Sequence, residues 1–188
     1  MKIKNTKPYI FEGHKISKTT TLEIIESKDE INILPLFEEL YDEFNTLFTL
    51  FNEYTEILHE NRISETPLTE ERTKKEQDLI EDIESEIKVI SKCLGKNIKV
   101  LNPDKKIINI DESNSNFVDI IGIYDNLKKR HDNLKSKDSR LNTTFDLMEK
   151  SINSLDTKIK EYNTTGKSES KLYTKEDALK VYNGNTPS

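Results

Sequence analysis

The sequence predicts a mainly α protein: an antiparallel helical hairpin packed on one long coiled-coil helix, with a small β-hairpin and an extended N-terminal arm. Three observations lead there. Between Phe117 and Tyr162 apolar residues recur 3 and 4 apart without a slip, through Ile120, Tyr124, Leu127, Leu134, Leu141, Phe145, Met148, Ile152, Leu155 and Ile159, with His131 and Asp138 as polar members of the series. A second stripe at the same spacing runs Ile33, Phe37, Leu40, Phe44, Leu47, Phe51, Tyr54, Leu58, widened by Tyr41, Phe48, Leu50 and Ile57. A third, Ile80, Ile83, Ile87, Ile90, Leu94, follows the short connection Ser64 to Pro67, which makes the first two helices antiparallel neighbours.

Taken in order, residues 1–30 read as an extended arm. Tyr9 to Phe11 and Thr19 to Ile25 are rich in β-formers, with a turn at Glu12-Gly13-His14. Residues 31–163 form the bundle. Pro35 suits the first turn of its first helix. Thr69 caps the second helix, Glu70 and Glu71 suit its positive end, and Gly95 is the expected stop. The period changes at about 98–110, where Ile98 to Leu101 and Lys106 to Ile110 flank Asn102-Pro103-Asp104-Lys105, the pattern of a β-hairpin. Ser113 or Ser115 is placed to cap the long third helix. Residues 164–188 read as a linker and a short C-terminal helix, with Thr174 and Asp177 spaced as a capping box, outside the bundle core.

Length decides what the long helix needs. Residues 117–162 span roughly 70 Å as one helix, against about 40 to 45 Å for each helix of the hairpin. The seam Leu141, Phe145, Met148, Ile152, Leu155, Ile159, Tyr162 then lies beyond the hairpin's reach and is the expected oligomer interface, in a dimer or trimer. The alternative is a break between Ser136 and Thr144, where helix formers are weak, folding the second half back into a four-helix bundle. The unbroken register and the lack of Gly or Pro favour continuity. Charge is segregated: 16 acidic and 4 basic residues lie between Glu38 and Glu86, and six basic and two acidic between Lys128 and Arg140, so the basic stretch is expected against the acidic hairpin of its own chain.

The chain has 188 residues, a net charge of −6 and one cysteine. That charge disfavours direct nucleic-acid binding, and a lone Cys93 precludes an internal disulfide. Neither a secretory leader nor a membrane span is expected, so the setting is cytoplasmic or inside a virion or other assembly. Abundant Ile, Lys and Asn point to a low-GC genome, phage or bacterial. Glu56 and His59 match one half of a di-iron element, but neither His14 nor His131 follows a Glu at that spacing. Glu38, Glu39, Asp42 and Glu43 fit a solvated face, His131 and Asp138 fit register-setting roles, and Cys93 fits core. No catalytic, cofactor-binding or metal residues are expected, and no cofactor. The chain therefore reads as a non-enzymatic structural or scaffolding protein that partners itself or another protein. The alternative is an acidic inhibitor or adaptor for a basic, nucleic-acid-binding partner.

Overall fold

The computed structural model describes residues 28–63 and 68–187; the expected arm up to residue 27 lies outside them. The protein is mainly helical, with a small two-stranded parallel sheet. In order come β1 (Glu30–Asn32), α1 (Leu34–Ile63), α2 (Glu70–Val100), β2 (Lys106–Ile108), α3 (Ile110–Leu134), α4 (Asn142–Thr165) and α5 (Lys175–Tyr182). Among the described residues no helix is long and apolar enough to cross a membrane.

Side-chain contacts give the helix directions. Phe37 stacks on Phe117 and Tyr54 bonds Asp138, so α1 and α3 run parallel. Ser91 meets Ser151 and Glu76 meets Arg140, so α2 and α4 also run parallel. Asn61 bonds Glu76 and Lys96 pairs with Glu39, which makes α1 and α2 antiparallel. His131 stacks on Phe145 and Lys128 pairs with Glu149, which makes α3 and α4 antiparallel. α1 packs on both α2 and α3, and α2 on α4, so the link from α2 to α3 crosses the bundle diagonal. The chain is thus two β-α-α units in succession, their strands paired in parallel as Glu30 with Lys106, Ile31 with Ile107 and Asn32 with Ile108.

The expected long helix is two helices. α3 stops at Leu134 and α4 starts at Asn142. Ser136, Asp138 and Ser139 each cost roughly 0.5 kcal/mol in a helix relative to Ala. The Asp138 carboxylate accepts instead from the Arg140 backbone N–H (3.1 Å), and Asn142 N–H donates to Ser139 O (3.1 Å), closing the turn. Folding back also buries seven large seam residues in one chain, at roughly 1.5–3 kcal/mol each before ordering costs. That gain outweighs the few helical hydrogen bonds lost.

The expected β-hairpin at 98–110 is replaced by a parallel pair. Ile98 to Val100 form the last turn of α2, which runs straight past Gly95, and the buried Asn97 amide donates back to Cys93 O (3.0 Å). The Asn102–Lys105 turn does form, closed by Lys105 N–H on Asn102 O (3.1 Å) with the Asn102 side chain accepting from Asp104 N–H (2.8 Å). Only Lys106–Ile108 after it is strand, and its partner comes from the start of the first unit. Neither Ser113 nor Ser115 caps α3. Asn109 precedes it at φ 54°, a left-handed conformation that Asn tolerates, and Ser113 Oγ donates to Asn109 O (2.8 Å). Thr69 does cap α2, accepting from Arg72 N–H (3.1 Å).

The core is one cluster running from Ile31 to Ala178. Leu172 and Ala178 belong to it, so the tail expected outside the bundle is docked. Backbone partners explain why. Asn114 of α3 donates to Lys171 O (3.1 Å) and accepts from Tyr173 N–H (2.8 Å), while Asn163 of α4 brackets Leu172 from the other side (2.9 and 3.1 Å). Each amide imitates a strand neighbour and satisfies backbone that burial would otherwise strand. α5 starts with the predicted capping box between Thr174 and Asp177, and the α4 carboxylate of Asp156 accepts from Lys175 N–H (2.7 Å).

Candidate functional site

The seven residues expected at an oligomer interface all lie inside the chain's own core. Leu141, Phe145, Met148, Ile152, Leu155, Ile159 and Tyr162 are each exposed by 5% or less. The premise that this seam stands clear of α1 and α2 fails because the helix folds back: Phe145 packs on Phe51 of α1 (5.5 Å between rings), and Tyr162 Oη reaches Lys105 O behind β2.

Two polar clusters sit at the loop end of the bundle. The first joins the two β-α-α units. Arg140 Nη2 donates to Glu76 Oε1 and Asp138 Oδ2, both at 2.9 Å, and its Nε donates to Asp138 Oδ1 (3.0 Å). Tyr54 donates to Asp138, and Asn61 donates to the other oxygen of Glu76. Burial alone raises the Asp138 carboxyl, but hydrogen bonds from Arg140 and Tyr54 overcome it and bring it down to about 2. The basic stretch expected on the acidic hairpin therefore engages it through Arg140. Lys128 and Lys135 instead pair with Asp132, and Lys128 with Glu149, inside the second unit. Arg130 lies over the rings of Phe48 and Phe51 (5.7 and 5.0 Å).

The second cluster lines a cavity of about 400 Å³ between the last turns of α3 and the first turns of α4. Its walls include Tyr124, His131, Asn142, Phe145 and Met148, and its rim Lys128, Asp132, Lys135, Asp146 and Glu149. His131 stacks on Phe145 with ring centroids 4.1 Å apart. Burial lowers its pKa. Burial, then the charges of Glu149, Asp125 and Asp132, raise that of Tyr124. Tyr124 Oη is withdrawn from solvent with no hydrogen-bond partner in the protein, while the His131 ring and the Asn142 side chain interact with each other. His131 and Asp138, the two breaks in the seam, thus part company: one lines the cavity, the other holds the latch. Asn142 carried no sequence signal beyond being a weak helix former at the break.

The remaining candidates stay apart. Glu56 and His59 are both exposed on α1, and among the described residues no group of three or more His, Cys, Asp or Glu is placed to hold a metal. Cys93 is buried. From Glu38 to Glu60 the exposed α1 positions are Glu38, Asp42, Thr46, Thr49, Glu53, Glu56, His59 and Glu60, a solvent stripe with five carboxylates. Burial and the neighbouring Asp42 raise the Glu38 carboxyl above its usual range. Exposed Glu70, Glu71, Asp78, Glu81 and Asp82 of α2 add to the field. No protein family, no curated protein and no solved structure matches this chain.

Proposed function

We propose that this chain is a non-enzymatic protein-binding module that joins a larger assembly by presenting an acidic helical surface to a basic partner. The observation that carries the reading is the α1 stripe, where five of eight exposed positions from Glu38 to Glu60 are carboxylates. Over 22 residues the stripe extends about 33 Å, long enough for a standard protein interface. Carboxylates along a rigid rod steer a basic surface and fix its register, and a nucleic-acid-binding protein is one such partner.

Self-association, the other route to an assembly, would need α4 to leave the bundle if it used the seam. A monomeric mass by light scattering at tens of micromolar is therefore expected. The direct test is affinity capture from the native host with the wild type and with Glu53→Lys/Glu56→Lys/Glu60→Lys. The wild type should retain a basic protein that elutes as salt rises, and the variant should not, because such contacts are screened beyond about 8 Å at physiological ionic strength. Retention indifferent to both salt and the three reversals would overturn the reading, as would a stable wild-type dimer with the stripe unmodified.

A further inference from the structure

We propose that the outer face of α2 between Lys88 and Lys99 docks an acidic α-helix of a partner protein, with closest approach at Gly95. This face is apart from the acidic stripe of α1, has the opposite charge, and stands whether or not that stripe has a partner.

Lys88, Lys92, Gly95 and Lys99 follow one another 4, 3 and 4 residues apart, so they share one face of the helix over roughly 16 Å. All three lysines are exposed. From Ile87 to Val100 the chain has four lysines and no carboxylate, in a protein whose net charge is −6. Lysines elsewhere, such as Lys74, Lys129 and Lys160, lean on a carboxylate one turn away, and Lys96 reaches Glu39 on α1. Among the described residues no ion pair engages Lys88, Lys92 or Lys99. The helix dipole favours cations within the last turn, which accounts for Lys99 but not for the other two.

Gly95 selects the kind of partner. Glycine weakens a helix interior, and its use there is to let something come close. On α3 that something is visible: the Tyr182 ring occupies the space a Cβ at Gly122 would take. At Gly95 nothing in the chain lies within 4 Å of the same position. A side chain on a packed helix fills such a notch, and the missing Cβ lets the two helix axes approach. A phosphate gains nothing from it, because N–H groups inside a helix are already bonded. Glu81, exposed seven residues before Lys88 on the same face, would also repel a nucleic-acid strand that ran on past the lysines, whereas a helix of about three turns ends before it. Val89, 39% exposed, and the lysine stems add apolar contact beside the charges.

The probe is an alanine-based helical peptide of about 20 residues, with glutamates on one face around a central leucine. The controls are linear polyglutamate of equal charge and an oligothymidylate of similar length. Each is titrated into the full-length protein by calorimetry, at two salt concentrations. Saturable binding of the helix, weakened by salt and at least about tenfold tighter than either control, is the expected result. Lys92→Glu/Lys99→Glu should weaken the helix by about tenfold or more. Gly95→Leu should weaken it about tenfold and leave the two controls unchanged. That substitution puts a better helix former into open space, so the melting temperature should not fall. Should the lysine variant misfold, Gly95→Leu still decides. Oligothymidylate or polyglutamate binding as tightly as the helix would overturn the proposal, as would helix binding indifferent to Gly95→Leu. So would no saturable response to the helix at about 1 mM, which would make this a solvated face. Growth of the wild-type mass with concentration, abolished by Glu53→Lys/Glu56→Lys/Glu60→Lys, would give the face to α1 of a second copy and overturn the outside partner.

Discussion

In the first β-α-α unit α1 and α2 pack directly along their length; in the second, α3 and α4 meet at His131 and Phe145 near their loop and through residues 171–182 farther along. Residues 171–182 bridge the two helices, clamped by Asn114, Asn163 and Asp156, and the cavity beside His131 lies nearer the loop. Residue type accounts for the difference. The buried face of α1 is apolar throughout and includes Phe37, Phe44 and Phe51, whereas that of α3 includes Ser113, Asn114, Gly122 and His131. Large apolar side chains close a helix pair by themselves. Small and polar ones leave space and backbone-matching groups, which the segment 171–182 meets through Asn114 and Asn163.

The comparison breaks most sharply in the core the two units share. Ile152→Asp places an unpaired charge at a position 1% exposed and should cost more than about 4 kcal/mol, unfolding α1 and α2 together with α4. Urea unfolding followed by circular dichroism reads this. An intact hairpin with only α4 released would show that the units are independent.

The Arg140 latch between the units comes next. Arg140→Ala leaves the Glu76 and Asp138 carboxylates, 9% and 7% exposed, without their cation. We expect a loss of about 2 kcal/mol, less than a fully buried pair because Arg140 itself is 42% exposed. Acid tests the same latch. The folded Asp138 pKa lies below the unfolded value, so its contribution is complete above about pH 4 and is lost as pH falls towards 2. His131 is also lowered when folded, so the second unit should begin to weaken earlier, as pH drops below about 6.5. An acid titration of the urea midpoint should thus show two phases, the upper one absent in His131→Phe. A single phase below pH 4 in the wild type would remove His131 from the account.

The smallest effect is expected where the tail meets α3. A Cβ at Gly122 would overlap the Tyr182 ring, but that residue is 54% exposed and its ring is free to swing out. Gly122→Ala also gains up to about 1 kcal/mol in helix propensity. Stability should stay within about 1 kcal/mol of the wild type, while hydrogen exchange over residues 178–185 quickens. A large loss of stability would mean that Tyr182 anchors the tail.

Much of this architecture was readable from local pattern. The stripes of α1 and α2, the caps at Thr69 and Thr174 and the Asn102–Lys105 turn all rest on interactions within a few residues, and such interactions are written in the order of the chain. The fold-back was readable only as the alternative, from the weak helix formers between Ser136 and Thr144, and for a specific reason. The α3–α4 loop, Lys135 to Leu141, is seven residues long, one heptad, so the register of Phe117 to Leu134 resumes unshifted at Leu141 and periodicity cannot tell a loop from a continuing helix. The parallel β1–β2 pair was hidden for a similar reason, since its partners lie 76 residues apart and only packing selects them. The docked tail and the cavity beside His131 depend on how α3 and α4 are placed in three dimensions. The sequence by itself determined which residues are apolar and at what period; the tertiary structure alone decided that the last seam would be buried against its own chain, because seven large side chains gain more by folding back than a continuous helix gains by staying straight.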